Sequence, residues 1–174
     1  ISDNILLQCN SLGEKGRQVL NRQRKITAKK CVDRFSWISS GLVAATPLPV
    51  VDLLGAAAVN AQMVIEIARV YGIEITKERA QELAISLGKT LATLGIVKSG
   101  VAIVGSILSL NLTTLIAGRA VQAVTAAWLT RVAGASFITY FQQDQDWGDG
   151  GMQEVVQRHF DINKRKSYLD SFMS

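Results

Sequence analysis

Apolar residues recur every seven positions at the start of this chain, at Ile5, Leu12, Val19 and Ile26, with Leu6 and Leu20 beside them. The spacing predicts a helix with a narrow apolar stripe on an otherwise polar, basic cylinder, and such a stripe needs a surface to lie on. Further along, the stripe is expected to widen through Ala28, Cys31, Val32, Phe35, Ile38 and Leu42 as the helix enters a core or a membrane interface near Trp37. Gly41 to Thr46 should end it. Thr46-Pro47-Leu48-Pro49 cannot lie inside a regular helix, because each proline lacks an amide donor and pushes the preceding residue toward extended geometry. Pro49 suits the first turn of the next helix, and Asp52 suits its positive end.

The second helix is expected to run through Val51, Leu54, Ala58, Ala61, Val64, Ile65 and Ala68 and to stop at Gly72, with Asn60, Gln62, Glu66 and Arg69 as its polar positions. Thr76 reads as an N-cap. Ala80, Leu83, Ala84, Leu87, Leu91 and Leu94 then form an i, i+3, i+4, i+7 series. Ser99 to Gly118 is a charge-free run of 20 residues, long enough for a spanning helix. Gly95, Gly100, Gly105 and the polar Asn111, Thr113 and Thr114 equally allow two shorter helices joined near residues 110–113. A long helix follows from about Leu115 to Phe141, rich in small residues that permit close helix approach, then an acidic glycine-rich loop and a last helix from about Met152. These elements predict an all-α bundle of about five to six helices. Residues 1–34 form a basic helical arm, 35–141 an apolar helical domain with hairpins, and 142–174 an acidic loop and C-terminal helix.

Charge sharpens the division. The first 34 residues hold Lys15, Arg17, Arg22, Arg24, Lys25, Lys29, Lys30 and Arg34 against Asp3, Glu14 and Asp33, and the rest of the chain carries eleven of each sign, so the whole net charge of +5 belongs to the arm. From Leu83 to Gln143 there is no Asp or Glu, only Lys89, Lys98, Arg119 and Arg131. Solvated helices normally interleave both signs, whereas apolar helices with a few cations suit an anionic membrane surface or a larger assembly. The eight arm cations are therefore candidate contacts to lipid headgroups or to an acidic partner, and nucleic acid is not expected. Asp52 is the candidate carboxylate partner for one of the otherwise unpaired cations.

Motifs of catalysis do not assemble. Gly88-Lys89-Thr90 copies the end of a phosphate-binding loop, but Leu83 stands where that loop needs glycine. Asp144, Asp146 and Asp149 suggest a calcium loop, yet Gly148 and Val155 occupy ligand positions. His159 is the only histidine and lies on an apolar helical face, which favours packing. Cys9 and Cys31 are too few for a disulfide framework or a structural zinc site and read as ordinary thiols of a reducing compartment. No catalytic, cofactor or metal residue is assigned. The chain shows no secretory signal pattern, and its start at Ile1 suggests the ordered part of a longer polypeptide.

Trp37-Ile38-Ser39-Ser40-Gly41 with Thr46-Pro47-Leu48-Pro49-Val50-Val51-Asp52, Asn60-Ala61-Gln62-Met63, Lys89-Thr90-Leu91 with Gly95-Ile96-Val97-Lys98, and Gly118-Arg119-Ala120-Val121-Gln122 with Leu129-Thr130-Arg131 resemble the YcjF-like helical domain of unknown function. That domain accompanies Era-like or dynamin-like GTPase domains, notably in cyanobacteria. The resemblance marks Trp37, Thr46, Pro47, Pro49, Asp52, Asn60, Gln62, Lys98, Arg119, Gln122 and Arg131 as motif positions with structural roles. It implies a non-catalytic module that anchors or couples a GTPase in cis to a membrane or membrane complex, on the cytoplasmic face of a plasma or thylakoid membrane. GTP and magnesium would belong to that other domain. The alternative is a soluble helical protein-interaction module or assembly factor. A small pore is a weaker option, because intramembrane polar pairs are scarce.

Overall fold

The computed structural model describes the backbone of residues 2–45, 49–99 and 114–172, and the side chains of 4–45, 57–99, 121–164 and 166. It is all-helical, as expected: α1 (Ser2–Ala45), α2 (Pro49–Val70), α3 (Lys77–Thr93), α4 (from 96, described to 99), α5 (Thr114–Gln142) and α6 (Gly151–Phe172).

Local chemistry explains where the helices begin and end. α2 closes on Gly72 at φ +76°, with the Ile73 N–H bonded to the Ala68 carbonyl and the Gly72 N–H to that of Arg69. This is the Schellman pairing, which needs the left-handed residue that glycine supplies without strain. Thr76 caps α3, its hydroxyl accepting the Arg79 N–H at 3.2 Å. Ala80, Leu83, Leu87 and Leu91 of the predicted series are buried, one per turn. After α5, the Gln145 N–H reaches back to the Tyr140 carbonyl with Asp144 left-handed, and Trp147 stacks on Tyr140 at 4.5 Å, pinning the acidic loop.

α1 makes its most extensive contact with α5 and its next with α2. Both pairings are antiparallel: Arg34 and Cys31 face Glu66 of α2, Asp33 faces Arg131, and Val32 faces Gly134. α2 also packs on α3 and α5, so Met63, Val64, Ile67 and Ala68 are fully buried at the centre. α6 crosses α5 steeply, because consecutive residues His159 and Phe160 reach Thr139 and Trp128, about 16 Å apart along α5 at 1.5 Å per residue.

The structure corrects one expectation about α1. The apolar stripe does not widen into the core; it is replaced by another face. Ala28, Cys31, Val32, Phe35, Ser36 and Ser39 are buried against the bundle, whereas Ile26 is exposed. At about 100° per residue, Ala28 points about 200° away from Ile26. Of the residues expected to continue the stripe, Ile38 is also exposed.

The α1–α5 crossing depends on one glycine. A Cβ at Gly134 would stand 2.4 Å and 2.6 Å from the Val32 methyls and 3.0 Å from its Cβ. Val32 is buried and β-branched, so it cannot swing aside. Gly134→Ala is therefore expected to destabilise the fold by about 1–3 kcal/mol despite the better helix propensity of alanine, read as a lower midpoint in urea denaturation.

Candidate functional site

Among the described residues, the basic arm is a long feature without a partner. Every described side chain from Asn4 to Gln23 is exposed, and at 1.5 Å per residue these positions form about 30 Å of helix projecting beyond the bundle. Ile5, Leu12 and Val19 are 55%, 68% and 63% exposed, so no described residue covers the stripe. Lys15, Arg17, Arg22, Lys25, Lys29 and Lys30 are all solvent-facing. Arg24 is half-buried where the arm leaves the bundle, beside the Gly72 turn. Its charge opposes the upward push that burial gives the Tyr71 hydroxyl.

Arg34 does not belong with the free cations, because it pairs with Glu66 across the α1–α2 groove and lies 5.2 Å from the centroid of Phe35. The Cys31 sulfur shares the same carboxylate at 3.7 Å. Burial, reinforced by the Glu66 charge, pushes the Cys31 thiol up to about 11, so it stays protonated and unreactive. Cys9 is exposed on the arm, so the two thiols are physically distinct. Arg131 pairs with Asp33 at 3.4 Å, a carboxylate from the arm segment. The side chain of Asp52 lies outside the described residues. Neither cross-helix pair was predicted, since nothing local links residues 31 to 34 with 66 or 131.

A second surface lies at the other end of the bundle. The antiparallel pairings bring together 35–45 of α1, 49–65 of α2 and 114–130 of α5, segments whose only charges are Asp52 and Arg119. Trp37 is 75% exposed there, and Ile38, Val97 and Val124 are exposed as well. Gln62, Lys98 and Gln122 are solvent-facing. Asn60 is half-buried, its Oδ1 having no partner among the described residues. Pro49 opens α2 and Arg119 sits in the second turn of α5, with side chains outside the description; Thr46 and Pro47 lie outside it altogether. Among the described residues, no helix is long and apolar enough to cross a membrane. The run considered for a span, Ser99 to Gly118, falls mostly outside them.

Chemical clusters are scarce by comparison. Gly88-Lys89-Thr90 is an uninterrupted part of α3, with the Thr90 hydroxyl bonded to the Ser86 carbonyl, so it lacks the loop that cradles phosphate. Asp146 accepts the Gly148 N–H at 3.0 Å, a turn-stabilising role. Among the described residues, no three His, Cys, Asp or Glu side chains are grouped to hold a metal.

A family model described as a domain of unknown function, DUF697, matches residues 7–165. The chain belongs to the DUF697 family. No curated protein and no solved structure matches it. The DUF697 match takes in most of the arm, including Leu12, Val19 and Ile26, together with the apolar end and the greater part of α6.

Two measurements probe the packing of this DUF697 domain. His159 is half-buried, with Nε2 2.8 Å from the Thr139 hydroxyl, and its pKa is lowered by burial and by the charges of Arg158 and Lys25. A folded-state pKa below the ordinary 6.5 means the unfolded chain binds the proton more readily. The contribution is thus complete above that value and shrinks as pH falls through it. Melting temperature is expected to drop between about pH 7.5 and 5.5, and His159→Gln should flatten that part of the drop. Alkylation of the native chain is expected at Cys9 alone, with Cys31 labelled only after denaturation, as read by intact mass.

Proposed function

We propose that this DUF697 domain is a non-catalytic helical module that attaches a GTPase-type protein to a membrane or membrane complex through its charge-poor end. The observation that carries the reading is the concentration of nearly charge-free helix, with Trp37 exposed, at one end of a bundle whose other end is densely charged. An exposed apolar end is costly in water unless something covers it, and tryptophan favours the boundary between headgroups and hydrocarbon. The GTPase link is supported by the resemblance of the motifs around Trp37, Asn60, Lys98 and Arg131 to the YcjF-like domain. In that arrangement GTP and magnesium belong to a domain in cis, on the cytoplasmic side.

Geometry divides labour among the cations. Measured along α1 from Trp37, Lys30 and Lys29 are about 10–12 Å away, whereas Arg17 and Lys15 are about 30–33 Å away. The electrostatic reach at physiological salt is about 8 Å. Headgroup attraction of about 1 kcal/mol per cation at the surface therefore falls first to Lys98 and Arg119 at the end itself and, weakened by distance, to Lys29 and Lys30, and the outer arm contributes little while the apolar end is engaged. The second reading, a soluble helical interaction module, is favoured by the uncovered apolar stripe of α1, which lies far from the charge-poor end.

Flotation with anionic and neutral vesicles, followed by extraction with high salt, carbonate and detergent, decides between them. Binding that resists high salt is expected, with Trp37→Asp and Val124→Asp each weakening it about tenfold. Lys29→Glu/Lys30→Glu should lower only the part that requires anionic lipid. Recovery as a soluble species that ignores both vesicles would overturn membrane attachment and leave the interaction module.

A further inference from the structure

The exposed stripe of α1 has the form of half a coiled coil. Ile5, Leu12, Val19 and Ile26 alternate with Cys9, Gly16 and Gln23 at spacings of four and three residues, which is the seam of a heptad repeat. One flank of the seam is a column of cations at the same period, Lys15, Arg22 and Lys29; the other flank is Leu6, Gly13 and Leu20. Seam and cation column are exposed, and nothing approaches within 4 Å of the Cβ positions of Gly13 or Gly16. The seam faces away from the core-forming side of α1, so the bundle cannot cover it by tilting the arm inward.

We infer that the α1 arm is one strand of a heterotypic two-stranded coiled coil whose partner is an acidic amphipathic helix, with an apolar heptad seam and a column of Asp or Glu facing Lys15, Arg22 and Lys29. Charge complementarity selects this occupant. A second copy paired antiparallel would set the cation columns of the two arms against each other. Paired in parallel, each column would face Leu20, Thr27 and Arg34 of the other copy and gain nothing, while both arms keep their net positive charge. Gly16 and Gln23 also leave gaps in the seam, so apolar packing alone is weak and the flanking charges must contribute. A membrane fits less well, because the outer arm points away from the apolar end. Two glycines in an unsupported helix cost about 1 kcal/mol each, so the arm is marginal until a partner fixes it. This inference goes beyond the membrane reading and stands without it.

The test uses the full chain and two synthetic helices of about four heptads with the same Leu/Ile seam, one carrying Glu and the other Gln at both flanks. By fluorescence anisotropy the Glu helix is expected to bind about tenfold more tightly than the Gln helix, less so at high salt. Lys15→Glu/Arg22→Glu should remove that preference and Leu12→Asp/Val19→Asp should abolish binding. Arg17→Glu/Lys25→Glu, the same charge change off the seam, should alter it less than about threefold. Hydrogen exchange should slow across residues 5–26 on binding. Equal affinity for the two helices, or equal loss from the on-seam and off-seam charge reversals, would overturn the heterotypic coil. Self-association of the chain with ready Cys9–Cys9 cross-linking would overturn it in favour of a second copy. Arm protection by anionic vesicles but not by the Glu helix would overturn it in favour of lipid.

Discussion

The close crossing of α1 over α5 is the contact on which the remaining geometry depends. Val32 sits where Gly134 has no side chain, and the approach it permits lets Ala28, Phe35, Ser36 and Ser39 share a core with Val132, Phe137 and Phe141. The crossing also sets the register of α1, placing Arg34 against Glu66 and Asp33 against Arg131. These exposed pairs add little energy individually; the burial of Ala28, Val32 and Phe35 fixes which side of α1 faces in.

Fixing that side fixes the other one. A helix of 44 residues offers far more surface than two neighbours can cover, and the heptad stripe from Ile5 to Ile26 is left on the outward face. The same antiparallel packing gathers the charge-poor halves of α1, α2 and α5 at the opposite end. The domain therefore has two ends of contrasting chemistry spaced along the length of α1. Its described interior is dominated by packing. The one buried thiol is held protonated, the one histidine is biased toward neutrality, and buried hydroxyls such as Ser36 and Ser136 bond to the carbonyl one turn back.

Much of the fold was legible along the chain because it is governed by local rules. The Ala80 to Leu91 periodicity, the Thr76 cap and the Gly72 stop each act within a turn or two, and the helices appear where those signals lie. The two-faced character of α1 was also encoded, since Ile26 and Ala28 differ by a fixed rotation, yet it reads as one widening stripe until the core shows which residues it takes. Of the candidate site, the basic arm was visible as composition. The withdrawal of Arg34 from it was not, because Glu66 is more than thirty positions away.

The sequence by itself determined an all-helical chain, a basic arm with a seven-residue apolar period, and long stretches without acidic residues, since helix periodicity, capping and charge counts need no neighbour to be read. Only the tertiary structure decided that the arm's stripe and the core of α1 lie on opposite faces, that the charge-poor segments converge at one end, and that the outer cations stand far from it. Those facts concern distance and direction between residues remote in the chain, and they are set by which helix surfaces fit closely enough to exclude water.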